Sequence, residues 1–324
     1  MPGMVASGQA RAGAEGRPQC SIPALRELRP MMAPPALLHS AFYRFTPLAD
    51  PVALAGALRA RAQAVHGSIM VASEGINGAV AGEGHAIAAF EAALQRDDLQ
   101  GGALRGMRFQ RSACVTEPFG RLKISVKPEI VALGLPQEPG HSVDGHLPRP
   151  DEHGASHLAR PDEHDASHLA PLAWRSLLAR DDLVLLDNRN HFEYRLGHFR
   201  GAVDPEIDNF RDFVAHVQAH APAWRAAGRP VAMYCTGGVR CDKSAPWLRS
   251  LGLEVWQLDG GILNYFHHLH DAGRDWLGEC FVFDRRLALN CRLEETATTA
   301  EQVFDAARAD EAWRLQRARH LGQA

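Results

Sequence analysis

From residue 183 onward the chain repeats one pattern. Short, mostly apolar segments (residues 183–187, 230–235 and 254–258) alternate with stretches of helical periodicity (209–219, 243–251 and 262–272), and a further helix precedes them at 170–179. A strand apolar on both faces is buried on both faces, and a parallel sheet with crossover helices supplies that burial. Residues 171–275 are therefore expected to form an α/β domain around a parallel sheet.

Upstream the order is different. A strand over 38–45, a helix over 51–66, a strand pair, a helix over 85–95 and strands over 107–114 and 122–126 predict a small α+β sandwich spanning 37–135. Asn77-Gly78 is expected to be the hairpin turn between 68–73 and 79–81, because both residues tolerate the positive φ of a type I′ turn. Residues 1–36, rich in Gly, Ala, Pro and Arg without periodicity, are expected to be disordered, with Met31 or Met32 as the true start. Residues 136–170 form a linker in which an eleven-residue unit, beginning Arg149-Pro150-Asp151-Glu152-His153, is repeated from Arg160. The repeat gathers His153, His157, His164 and His168. Imidazole suits Zn or Ni, but a loop rarely supplies the outer partners that hold ligands in place, so no metal site is expected. The extension 276–324 is expected to carry helix over 298–319, with Val303, Phe304, Ala307, Ala312 and Trp313 on one apolar face docked on the preceding domain.

Composition excludes little but usefully. A net charge of −3 gives no global attraction to nucleic acid, so an RNA contact needs a local basic face. Arg108, Arg111, Arg121, Lys123 and Lys127 are dense enough on adjacent strands to be that face, or else a solvated sheet surface. The absence of a long uncharged apolar run argues against a membrane span. Six cysteines spread over 324 residues fit reduced thiols in a cytoplasm better than a disulfide framework.

Cys235 stands out among those cysteines. It ends an apolar strand and opens the loop Cys235-Thr236-Gly237-Gly238-Val239-Arg240, after which an amphipathic helix is expected to start near Asp242. Converging backbone N–H groups and the positive end of a helix favour a thiolate, lowering a thiol pKa of about 8.5 toward neutrality. Gly237 and Gly238 let the chain curl into such a nest, and Arg240 adds positive charge. Cys241, six residues on, is either a resolving thiol or a cysteine packed inward.

Asp187-Asn188-Arg189, Glu193-Tyr194, Gly197-His198, Gly201-Ala202, the Cys235 loop and Asp259-Gly260-Gly261 resemble successive signatures of the rhodanese family. The spacing differs from the Cys-x5-Arg loop of tyrosine and Cdc25-like phosphatases, since Cys241 occupies the arginine's place. The resemblance extends upstream. Phe42-Tyr43-Arg44-Phe45, Glu74-Gly75-Ile76-Asn77-Gly78, the run from Pro118 to Lys127, that from Glu129 to Gly134, and the downstream run from Cys280 to Asp284 are similar to the tRNA uridine(34) hydroxylase family. That resemblance implies a ferredoxin/acylphosphatase-like N-terminal domain followed by a rhodanese domain. It also implies oxygen-dependent formation of 5-hydroxyuridine in the anticodon loop of tRNA, with molecular oxygen as co-substrate and no established metal or flavin. By position, Cys235 matches the reactive cysteine, Thr236, Gly237, Gly238, Val239 and Arg240 its cradle, and Asp187 and Arg189 a strand-end signature that either serves the site or only braces the loop. Many relatives carry a cysteine-rich tail, whereas this chain has only Cys280 and Cys291 there.

Three functions stay open on the sequence. A thiolate adding to C6 of uridine serves a tRNA hydroxylase; the same nest serves a persulfide or thiosulfate sulfurtransferase; an inactive interaction module is disfavoured by the retained cysteine.

Overall fold

The computed structural model describes residues 37–96, 98–135 and 167–322. The expectations for residues 1–36 and for the repeat containing His153, His157 and His164 lie outside the described residues.

The N-terminal lobe comprises β1 (Leu37–Phe45), α1 (Pro51–Arg61), β2 (His66–Ala72), β3 (Gly75–Gly82), α2 (Gly84–Leu94), β4 (Phe109–Cys114) and β5 (Leu122–Val126). Its sheet runs β4-β1-β3-β2-β5, antiparallel except for the β2–β5 pair. Alternation sorts the strands into two faces. Phe42, Ile69, Val71, Ile76, Val80 and Ile124 pack on Leu54 and Leu58 of α1 and on Ile87, Phe90 and Leu94 of α2. The opposite face, carrying Ala41, Tyr43, Ser68, Met70, Asn77 and Ala79, has no helix of its own lobe over it and lines a cleft.

Two expectations fail here. The first helix ends at Arg61, because residues 66–72 are recruited as a central strand. The hairpin turn is Ser73-Glu74, set by the pairing of Ala72 with Gly75, and Asn77-Gly78 lies inside β3. Asn77 acts instead as a clamp, its Nδ2 donating to the Ile130 carbonyl at 3.1 Å.

The C-terminal lobe contains β6 (His168–Leu169), α3 (Pro171–Leu177), β7 (Val184–Asp187), α4 (His191–Leu196), β8 (Gly197–Phe199), α5 (Phe213–Ala226), β9 (Val231–Tyr234), α6 (Val239–Ser250), β10 (Val255–Leu258) and α7 (Gly261–His268). Its sheet, β6-β10-β9-β7, is parallel throughout. Val184, Leu186, Val231 and Met233 face one helical layer with Phe213, Val217, Ala245 and Leu248. Leu185, Ala232, Tyr234 and Leu258 face the other, with Trp174, Ile262, Tyr265 and Phe266. Both faces are thus covered, as apolar strands require.

The end of the second repeat is not linker: the Ser167 carbonyl accepts from the Gln257 N–H at 2.8 Å, and the His168–Leu169 ladder adds the segment to the sheet edge beside β10. Helix α6 starts at Val239, earlier than expected, so Arg240 and Cys241 belong to its first turn. Helix α4 was not foreseen although Asn190 and Glu193 form a capping box at its start. The extension adds β11 (Trp276–Gly278), β12 (Cys280–Phe281), β13 (Ala288–Leu289), α8 (Ala300–Val303) and α9 (Ala309–Gly322). The single helix expected over 298–319 is broken between Phe304 and Arg308. Val303, Phe304 and Leu315 are buried against Phe192 and Phe281, whereas Ala307 and Trp313 are exposed.

Among the described residues no helix is long and apolar enough to cross a membrane. Both lobes belong to one compact unit, joined by ion pairs from Arg108 to Asp259 and from Lys243 to Glu74 and Glu129.

Candidate active site

Strand β9 delivers Cys235 to the mouth of the sheet, and α6 begins four residues later. The Gly238 N–H donates to Cys235 Sγ at 3.1 Å. Gly238 has φ 101°, and a β-carbon there would sit 2.7 Å from the Tyr43 hydroxyl, so both backbone and space demand glycine. The loop is fixed from below: the N–H groups of Ile262 and Leu263 donate to the carbonyls of Cys235 and Thr236 at 3.0 and 3.1 Å.

Cys235 and Cys241 are both 1% exposed, yet they are pushed in opposite directions. Burial alone would push Cys235 up, but a hydrogen bond from the Cys241 thiol, the Arg240 charge and the N–H groups of Cys241 and Arg240 outweigh it and bring the thiol from 9.0 down to about 6. Burial and the hydrogen bond it gives to Cys235 hold Cys241 well above the ordinary range. Cys241 therefore keeps its proton and stabilises its neighbour's thiolate.

The cradle residues divide their tasks. The Arg240 guanidinium is spent on Glu193, donating to its two oxygens at 2.8 Å each. Thr236 Oγ1 donates to the same carboxylate at 3.5 Å. Gly237 and Val239 line the cleft. Asp187 and Arg189 do not line it: both are fully buried, paired at 2.6 Å, with Arg189 also donating to the Gly197 carbonyl. Their turn is stitched to the Cys235 strand by the Asn188 N–H, which donates to the Tyr234 carbonyl at 2.9 Å.

The cleft between the lobes has a volume of about 1670 Å³, with Cys235 at its floor. Its walls supply residues whose roles sequence reasoning missed. Tyr43 Oη donates to Asp242 Oδ2 at 2.8 Å, and His168 Nε2 lies 2.8 Å from Asp242 Oδ1. Gln110 Nε2 donates to the Gly260 carbonyl at 2.6 Å. Tyr43 and Glu193 sit inside motifs noted above, but their partners are far away in sequence, and only their motif membership was legible.

The expected single basic face is corrected by the strand order. Strands β4 and β5 are opposite edges of the sheet, which separates Arg108 and Arg111 from Arg121, Lys123 and Lys127. Arg108 and Lys127 line the cleft; Arg111 turns to the helix layer and pairs with Glu91; Arg121 and Lys123 are exposed elsewhere. Arg108 donates to both carboxylate oxygens of Asp259, at 2.9 and 3.2 Å. The cleft cations without an ion pair or side-chain hydrogen bond among the described residues are Arg44, Lys127 and Arg211.

In the extension, burial pushes Cys280 up to about 12, and Cys280 and Cys291 pack into the apolar layer around Trp276. Among the described residues no group of three His, Cys, Asp or Glu side chains is placed to hold a metal ion.

A thiolate-stabilising strand-to-helix loop on a parallel sheet defines a rhodanese-type domain, and the corresponding family model, "Rhodanese-like domain", matches residues 172–268. The N-terminal lobe matches "UPF0176 acylphosphatase like domain" over residues 38–130. Proteins named tRNA uridine(34) hydroxylase are similar to this chain over most of its length. One from Nitrobacter winogradskyi is 40% identical over 84% of this chain and 98% of its own length. One from Deinococcus radiodurans is 39% identical over 82% of this chain and 80% of its own, and one from Jannaschia is 40% identical over 83% and 79%. The chain belongs to the tRNA uridine(34) hydroxylase family.

Proposed function

We propose that this protein hydroxylates C5 of uridine 34 in the anticodon loop of tRNA, with the Cys235 thiolate as nucleophile and molecular oxygen as the source of the inserted atom. The observation that carries the chemistry is Cys235, a thiol brought down to about 6 at the floor of an inter-lobe cleft. Family membership supplies the substrate. The thiolate adds to C6, the C5=C6 π pair moves onto C5 and O4, and C5 attacks a peroxide-level oxygen species formed from molecular oxygen by an external two-electron donor, so that O–O cleavage leaves a hydroxyl on C5 and releases the second oxygen atom as water. Loss of the C5 hydrogen then expels the thiolate and restores the double bond.

The cleft exceeds the roughly 300–1,000 Å³ of ordinary small-molecule pockets, which suits a nucleotide with its flanking phosphates. An anticodon base is already outside a duplex, so bringing it to Cys235 is inexpensive. Arg44, Lys127 and Arg211 are the cations we assign to the RNA backbone, because no ion pair or side-chain hydrogen bond among the described residues takes up their charge.

The test is nucleoside mass spectrometry of tRNA incubated aerobically with the wild type and with Cys235→Ser. Gain of 5-hydroxyuridine with the wild type alone is expected. Equal gain with the variant would remove the nucleophile, and no gain with either, beside thiosulfate turnover, would replace hydroxylation by sulfur transfer.

A further inference from the structure

Hydroxylation through a C6 adduct needs a base as well as a nucleophile. After oxygen has joined C5, the C5–H bond must break so that its electron pair can re-form C5=C6 and expel the sulfur from C6. This step is redox neutral and needs only a proton acceptor.

Four carboxylates line the cleft: Glu129, Asp242, Asp259 and Asp284. Three are held by cations, Glu129 by Lys243, Asp259 by Arg108 and Asp284 by Arg286. Asp242 pairs with no lysine or arginine among the described residues. Its two oxygens meet the Tyr43 hydroxyl and the His168 imidazole, each at 2.8 Å. The Tyr43 oxygen in turn abuts Gly238, whose N–H holds the Cys235 sulfur. A phenolic oxygen that gives its proton to a carboxylate can accept another on its lone pair. It stands against Gly238, which is three residues along the chain from the nucleophile and hydrogen-bonded to its sulfur, and C5 and C6 are adjacent ring atoms.

We propose that Tyr43 and Asp242 form the proton relay of the elimination step, an assignment that rests on the hydroxylation reading above. Tyr43 Oη takes the C5 hydrogen as a proton while passing its own to Asp242 Oδ2; the C5–H electrons form C5=C6 and the C6–S bond breaks to regenerate the thiolate. Tyr43 is the catalytic residue. Asp242 acts through it as the terminal acceptor, and His168 fixes the carboxylate's orientation. Burial and the neighbouring Asp242 charge keep Tyr43 protonated well above its ordinary range, which fits a concerted relay and not a standing phenolate.

The experiment incubates wild type, Tyr43→Phe and Asp242→Asn with an anticodon stem-loop RNA. Two readouts are taken: 5-hydroxyuridine by mass spectrometry and covalent protein–RNA species on a denaturing gel. Each variant is expected to lose about 100-fold in product formation, the lower end of what a positioned acid–base group contributes. Each should also accumulate a denaturant-stable adduct that the wild type lacks and that disappears when Cys235→Ser is added. A merely structural role would not trap the adduct. Undiminished product from Tyr43→Phe overturns the relay, as does lost product without adduct while Cys235 still alkylates at the wild-type rate. Asp242→Asn keeps the size of the side chain and decides the matter if Tyr43→Phe does not fold. If the wild type itself makes no 5-hydroxyuridine, the hydroxylation reading has failed and takes the relay with it, an outcome visible in a separate lane.

Discussion

Two neighbouring turns leave the C-terminal ends of adjacent strands, β7 and β9, and both bury charge. At the first, Asp187 and Arg189 neutralise each other in a sealed pair, 0% exposed, with a further bond to the Gly197 carbonyl. At the second, the negative charge is a thiolate neutralised by backbone N–H groups, a protonated Cys241 and a guanidinium already paired with Glu193. The first turn spends its charge on holding the lobe together. The second carries Cys235, which lines the cleft. Burial is common to both; what separates a brace from a reactive centre is whether the charge is satisfied by a counter-charge or by polar groups that leave the atom accessible.

That contrast is breakable. Removing the reactive group should hit chemistry and spare the fold: Cys235→Ala is expected to abolish 5-hydroxyuridine formation while shifting the denaturant midpoint little. Asp187→Ala should do the reverse to stability, costing about 3–5 kcal/mol by leaving Arg189 buried and unpaired, as read by chemical denaturation. If Asp187→Ala were neutral, the first turn would not be a brace. Gly238→Ala probes the nest, since φ 101° and the Tyr43 hydroxyl both oppose a β-carbon; a loss of about 1–3 kcal/mol is expected in thermal unfolding.

A finer test concerns pH. With a thiol at about 6 the thiolate is populated above that value and lost below it, so alkylation by a small reagent should rise through pH 6 and level off near neutrality. In Cys241→Ala the midpoint should move upward, by about one unit for the loss of one charge-assisted hydrogen bond. An unmoved midpoint would mean that the second thiol contributes nothing. The smallest effect separates two basic groups. Lys127→Glu with Arg211→Glu should weaken tRNA binding and reduce its salt dependence by roughly 0.7 per lost single-strand phosphate contact, whereas Arg121→Glu with Lys123→Glu should leave both unchanged.

Local chemistry was legible in the sequence and long-range geometry was not. The parallel sheet, the α+β sandwich and the Cys235 loop follow from apolar runs and from a cysteine between a strand and paired glycines. Asn77-Gly78 misled because turn propensity is local, whereas the Ala72–Gly75 pairing and the Ile130 carbonyl that captures Asn77 are tertiary. The basic cluster misled for a related reason: strands close in sequence became opposite edges of one sheet. Tyr43, separated from Asp242 by 199 positions, could be quoted within a motif but not given a partner.

Helix α6, whose first turn stabilises the thiolate, is gripped by the other lobe at two consecutive residues, Asp242 by Tyr43 and Lys243 by Glu74. The sulfur's ionisation and the docking of the lobes are therefore linked equilibria, and linkage is reciprocal. Whatever shift docking imposes on the thiol, ionising the sulfur imposes on docking to the same degree, with desolvation opposing the ionised form. A thiol reagent applied to Cys235 thus serves as a gauge of how firmly the two halves are closed.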